Sequence, residues 1–92
     1  MFELSADDLK DARKSLAGIL YLHYWDVGHS QSKVFSKTSV KNSMGIEWEY
    51  NYKALNLVWE MFLIGGIIKV VDSMNGDYVI SDIGRVYRMR LA

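Results

Sequence analysis

The sequence predicts an α+β domain: helices first, then a two-stranded β-hairpin, then a closing helix. Three observations predict it. Apolar residues recur at steps of three and four across the first 25 positions and again from about Glu47 to Ile64. Asn75-Gly76 separates two β-branched runs, which is a strong short hairpin signal. Ser81 then precedes a last stretch of helical spacing. At 92 residues the chain fits a single domain, 1–92. Half of it is hydrophobic and 24% is charged, the balance of a folded globule and not of a disordered segment.

The first helix has its start written in the residues. Ser5 is placed to cap it, and Asp7 and Asp8 suit the positive end of its dipole. Leu4 and Leu9 fit a hydrophobic staple across the cap. Leu9, Ala12, Leu16, Ile19, Leu20 and His23 share the face expected to point inward. Near its end the apolar stripe widens to include Tyr21, Leu22, Tyr24 and Trp25. Residues 26–38 read as irregular, with Val34 and Phe35 dipping back onto the core. A short helix follows, capped by Thr38 or Ser39 and stopped by Gly45.

From about Glu47 to Ile64 there is no breaker, and one continuous rod is expected. Trp48, Tyr52, Leu55, Trp59 and Phe62 form its inward stripe. Leu57, Met61 and Ile64 make the last turns apolar on the opposite side too. Gly65-Gly66 ends the rod, since glycine takes positive φ without penalty. Ile67, Ile68, Val70 and Val71 form one strand, and Tyr78, Val79 and Ile80 the other. Asn75 and Gly76 are expected to be the central pair of a type I′ turn. In the closing helix Ile83, Val86, Tyr87 and Leu91 face inward, Arg85 and Arg88 outward.

Charge is neutral in sum but not in distribution. Residues 27–46 carry Lys33, Lys37 and Lys41 with no acid, whereas residues 47–82 carry six acids against Lys53 and Lys69. The last ten residues add Arg85, Arg88 and Arg90. Two basic islands therefore flank an acidic middle. The absence of cysteine excludes disulfides, iron–sulfur clusters and thiolate zinc sites. The acidic start lacks the pattern of a secretory leader, and the longest apolar run, Met61 to Ile68, is eight residues against the ~20 a membrane span needs. A cytoplasmic protein without membrane contact is expected. His23 and His29 lie six apart with no third ligand near them, and no phosphate-cradling glycine loop enters a helix. The residues thus call for no metal, no cofactor and no enzymatic activity.

The order of elements resembles a winged helix-turn-helix domain. Leu55-x3-Trp59-x2-Phe62-x3-Gly66-Ile67-Ile68 is similar to the exit of that family's recognition helix into its wing. Tyr78 to Leu91, YVISDIGRVYRMRL, resembles the second wing strand running through a hydroxyl cap into a helix, as in MarR-, PadR- and ArsR-like bacterial and archaeal regulators. The resemblance implies a three-helix core, a two-stranded wing and a C-terminal helix. It also implies sequence-specific binding of double-stranded DNA as a dimeric transcriptional regulator. Lys33, Lys37, Ser39, Lys41 and Asn42 would then lie along the DNA backbone. Tyr50, Asn51 and Lys53 would approach base edges, and Met74, Asn75 and Gly76 would form the wing tip. Tyr21, Leu22, Trp25, Leu57, Met61 and Ile64 are the expected homodimer or partner surface, with Val86, Tyr87, Met89 and Leu91 as further candidates. Glu47 and Glu49 at the start of the reading helix, and the acids of the hairpin tip, motivate one alternative: a winged-helix protein–protein interaction module without DNA contact.

Overall fold

The computed structural model describes residues 4–91, with side chains through Tyr87. Helix α1, Ala6–Tyr24, opens on a full capping box: Ser5 Oγ accepts from the Asp8 amide at 3.1 Å, and Asp8 Oδ2 accepts from the Ser5 amide at 3.1 Å. Leu4 and Leu9 pack on the core as the staple requires, beside buried Ala12, Leu16, Ala17, Leu20 and Tyr21. His23, expected inward, is exposed. Tyr24 takes that place, its ring 5.0 Å from Phe35.

The stretch expected to be irregular holds a small hairpin, β1 (Trp25–Asp26) with β2 (Gln31–Ser32). Asp26 ties its turn by accepting from the His29 amide at 3.2 Å and meeting His29 Nδ1 at 2.8 Å. That side-chain bond holds the Asp26 carboxyl below the ordinary aspartate range. Phe35 is buried as expected, but Val34 points to solvent. Phe35 also belongs to a third strand of the main sheet, β3 (Phe35–Ser36).

Helix α2, Lys37–Met44, is capped one step earlier than expected. Ser36 is the cap, because Ser39 stands three residues on and closes a reciprocal box with it. Gly45 ends α2 at φ +58°, as expected. The expected continuous rod is broken at Asn51, with φ −117° and ψ 25°. Helix α3 (Ile46–Tyr50) precedes the break and α4 (Tyr52–Ile64) follows it. Asparagine competes with helical backbone, and the break re-phases the inward face. Trp48 remains buried, but Tyr52 turns out and Ala54 and Val58 turn in beside Leu55, Trp59 and Phe62.

The glycine pair then stops α4 in a Schellman arrangement. The Ile67 amide donates to Phe62 O at 2.8 Å, the Gly66 amide to Leu63 O at 3.1 Å, and Gly66 sits at φ +75°. Strands β4 (Ile68–Asp72) and β5 (Asp77–Ile80) pair antiparallel, so Val70 and Val79 share one sheet, of order β3-β5-β4. The connecting turn is longer than the expected type I′ pair. It spans residues 73–76, and only Gly76 takes positive φ, +67°. Asp72 explains the difference: its carboxylate accepts from the Met74 and Asn75 amides and from Asn75 Nδ2 at 2.7 Å, which winds a four-residue loop.

Helix α5, Asp82–Leu91, is capped by Ser81, whose Oγ accepts from the Gly84 amide at 3.0 Å. Ile83 and Val86, expected inward, are exposed, because α5 docks through Gly84 and Tyr87 instead. Tyr87 meets Phe62 edge to face at 5.6 Å, and Tyr21 Oη donates to Gly84 O. The expected inward position of Leu91 and outward position of Arg88 lie outside the described side chains. Among the described residues the fold is α+β, five helices with small antiparallel sheets around one core, and compatible with a winged-helix-like layout.

Candidate nucleic-acid interface

Among the predicted backbone contacts, the structure brings Lys37 and Lys41 together. They stand one turn apart on α2 and converge on the indole of Trp48, which lies beneath them in α3. Lys37 Nζ is 5.9 Å from the Trp48 ring centre and 5.7 Å from that of Trp59, and Lys41 Nζ is 5.5 Å from Trp48. Cations over indole faces gain about 0.5–1 kcal/mol each at exposed sites, but like charges four apart on a helix lose about 0.2–0.5 kcal/mol. Among the described residues neither ammonium reaches a carboxylate within ion-pair distance. Burial holds the Lys37 ammonium below the ordinary lysine value, the Lys41 charge lowers it further, and Glu60 partly opposes both. The sequence marked the two lysines, but not the indole that gathers them. An i, i+4 lysine pair seven residues before a tryptophan is the signal that was there to read.

The other predicted contacts are placed differently. Lys33 is exposed between β2 and β3, with its amide donating to Tyr24 O at 2.7 Å. Asn42 is exposed on α2. Ser39 is committed to the cap: its hydroxyl donates to Ser36 O at 2.8 Å while accepting from the Ser36 amide. At the hairpin tip Met74 is 95% exposed, Asn75 is exposed and Gly76 half-buried, and the Asn75 polar groups donate to Asp72.

Tyr50, Asn51 and Lys53 are all exposed and adjacent, but they do not stand on an open helix end. With Tyr52 they line a cleft of about 280 Å³ whose far wall is Leu4 and Asp8, from the start of α1. Sequence reading missed that wall, since no local pattern links segments more than forty positions apart.

The expected partner surface divides. Tyr21 is buried and bonded to Gly84, and Trp25 is half-buried against the core, so neither offers a free face. Leu22 is exposed on α1. Leu57, Met61 and Ile64 line the outward side of α4 with Glu60, and Ile64 is 86% exposed. They do not pack under α1. On α5, Val86 is exposed and Tyr87 is half-buried against the core, whereas Met89 and Leu91 lie outside the described side chains. Of the second basic island, Arg85 is exposed; Arg88 and Arg90 are likewise outside the described side chains.

No family model, curated protein or solved structure matches the chain. Among the described residues no group of three or more metal-ligating side chains converges, and no helix is long and apolar enough to cross a membrane.

Proposed function

We propose that this chain is a winged-helix protein that binds double-stranded DNA and acts as a dimeric regulator of transcription. The observation that carries the reading is the Lys37–Lys41 pair, two cations held over one indole with no carboxylate within ion-pair distance among the described residues. A phosphodiester between the two ammonium groups relieves their repulsion and supplies the missing anion. Lys33 adds charge upstream, and Asn51 and Lys53, exposed at the start of α4, are the proposed base contacts. The element order and the β3-β5-β4 sheet support the winged-helix part of the proposal.

Salt dependence tests it. Affinity for mixed-sequence duplexes should fall steeply with salt, and Lys37→Gln or Lys41→Gln should each flatten the logarithmic salt slope by about 0.9. Both variants should weaken all sequences alike, whereas Asn51→Ala should relax sequence choice. The pH dependence has a definite sign. Binding favours the charged lysine, whereas the free protein disfavours it at Lys37. Affinity should therefore decline as pH rises through the lowered Lys37 value, before the ordinary lysine range. Lack of binding to any duplex at low salt eliminates the proposal.

The exposed Leu57–Met61–Ile64 face favours a second reading, a winged-helix interaction module without DNA contact. Met61→Glu decides whether that face assembles. In the second reading the variant elutes from size exclusion as a smaller species than the parent, and neither protein is retained on heparin at low salt. If parent and variant elute alike as monomers, the face holds no self-assembly.

A further inference from the structure

The cleft at Asn51 has a chemistry that the lysine pair lacks. It forms where the chain leaves helical geometry at Asn51, with Tyr50 and Tyr52 flanking the break and both lining the cleft. Tyr50 is 79% exposed and Tyr52 half exposed, and neither hydroxyl has a hydrogen bond among the described residues. The Asn51 side chain is also without one, which leaves an amide donor and an amide acceptor side by side at the opening. Asp8 contributes an acceptor from across the cleft: Oδ2 takes the Ser5 amide, and Oδ1 has no hydrogen-bond partner among the described residues. The Asp8 carboxylate accepts from an amino group, and Lys53 on the other side of the cleft balances its charge. The size sits just under the range of drug-sized ligand sites, enough for one ring system with its substituents.

We infer that this cleft takes a single unstacked nucleobase carrying an exocyclic amino group. Tyrosine faces accept any base by stacking, and the Asn51 amide matches the donor–acceptor edge of adenine. The Asp8 carboxylate accepts from the amino group of adenine or cytosine, and thymine has none to give it. The site is concave, with Asp8 and Lys53 on its sides, unlike a helix end that must protrude into an intact major groove. It rests on the nucleic-acid reading only for the case in which the base belongs to a strand. A free nucleoside is the other source of the same chemistry.

The experiment is an amide-resolved NMR titration of the full chain with adenosine, cytidine and thymidine, followed by two duplexes. One duplex is perfectly paired and the other carries one extrahelical adenine. Adenosine and cytidine should shift the Asn51 side-chain amide and the backbone amides of residues 50–53, and thymidine should do so far less. Tyr50→Ala should weaken the nucleoside roughly five- to hundred-fold, the range of one lost base stack. Asn51→Ala should reduce the preference for adenosine over thymidine, leaving the part that Asp8 supplies. Both side chains are exposed, and an unchanged Trp59 indole resonance certifies that each variant is folded. The bulged duplex should bind more tightly than the paired one, by a margin that Tyr50→Ala removes.

The outcomes separate the two readings. Nucleoside shifts at the cleft without duplex binding uphold this site and remove the DNA proposal. Salt-sensitive duplex binding overturns the site if nucleosides leave residues 50–53 unmoved and the extra base confers no preference. Equal response to all three nucleosides, unaffected by Asn51→Ala, overturns it as well.

Discussion

Trp59→Ala should lower the stability of the fold at 25 °C by about 3–5 kcal/mol, a large share of the whole. Trp59 is 1% exposed and meets residues of α2 and of two strands. Its ring meets Phe35 of β3 edge to face at 6.1 Å and Tyr78 of β5 edge to face at 5.2 Å, while the Lys37 ammonium lies 5.7 Å away. Phe35 and Tyr78 are themselves paired across the sheet, with ring centres 6.3 Å apart, so the indole closes an aromatic cluster that joins α4 to two strands. Truncating a buried tryptophan to alanine costs about 3–5 kcal/mol through lost transfer energy and the cavity left behind. Domains of this size have roughly 5–14 kcal/mol in total. Urea titration followed by far-ultraviolet circular dichroism measures the loss, and Trp59→Phe should restore more than half of it. A midpoint change worth less than about 1 kcal/mol would show that the cluster does not hold sheet to helix.

The same residue shows how far the sequence could be read. Trp59 and Phe62 stand at helical spacing before a glycine pair, so their burial and the Schellman stop follow from local pattern alone. The cap at Ser5 was equally local. Asn51 was not legible, because it sits inside a run with no glycine or proline. Its preference to leave the helix is weak until Ala54 and Val58 gain more by facing the core than Tyr52 would. The error at Ile83 and Val86 has another origin. Helical spacing gives a face, but which face docks depends on how close the helix can come. Gly84 permits an approach that no larger residue would, and it rotates both side chains outward. At the candidate site, Lys37 and Lys41 were legible as an isolated run of charge. Their convergence on Trp48, and the wall that Asp8 adds beside Asn51, are products of tertiary geometry.

Gly84→Ala tests that close approach, and its sign runs against helix propensity. Gly84 lies within α5, where alanine is ordinarily better than glycine by about 1 kcal/mol. Here a Cβ would overlap the carbonyl oxygen of Ile67 and stand 2.7 Å from Ile80 Cγ2. The carbonyl cannot yield cheaply. Ile67 O accepts from the Ser81 amide at 2.9 Å and from Ser81 Oγ at 3.1 Å, and Ser81 is the cap of α5. Tyr21 Oη donates to the Gly84 carbonyl, so moving α5 away breaks a buried bond to α1 as well. Overpacking of this kind costs about 1–3 kcal/mol after any gain in propensity. In a domain of this length that lowers the melting temperature by roughly 5–20 °C. Gly18→Ala is the matched control: Gly18 is exposed in the middle of α1, and the Cβ that alanine adds there meets nothing within 4 Å. At that position alanine should raise stability by about 0.5–1 kcal/mol. Opposite signs for the two substitutions, read from thermal melts of the two variants side by side, follow only if α5 is seated through Gly84. Two increases would place α5 farther from Ile67 than the fold requires.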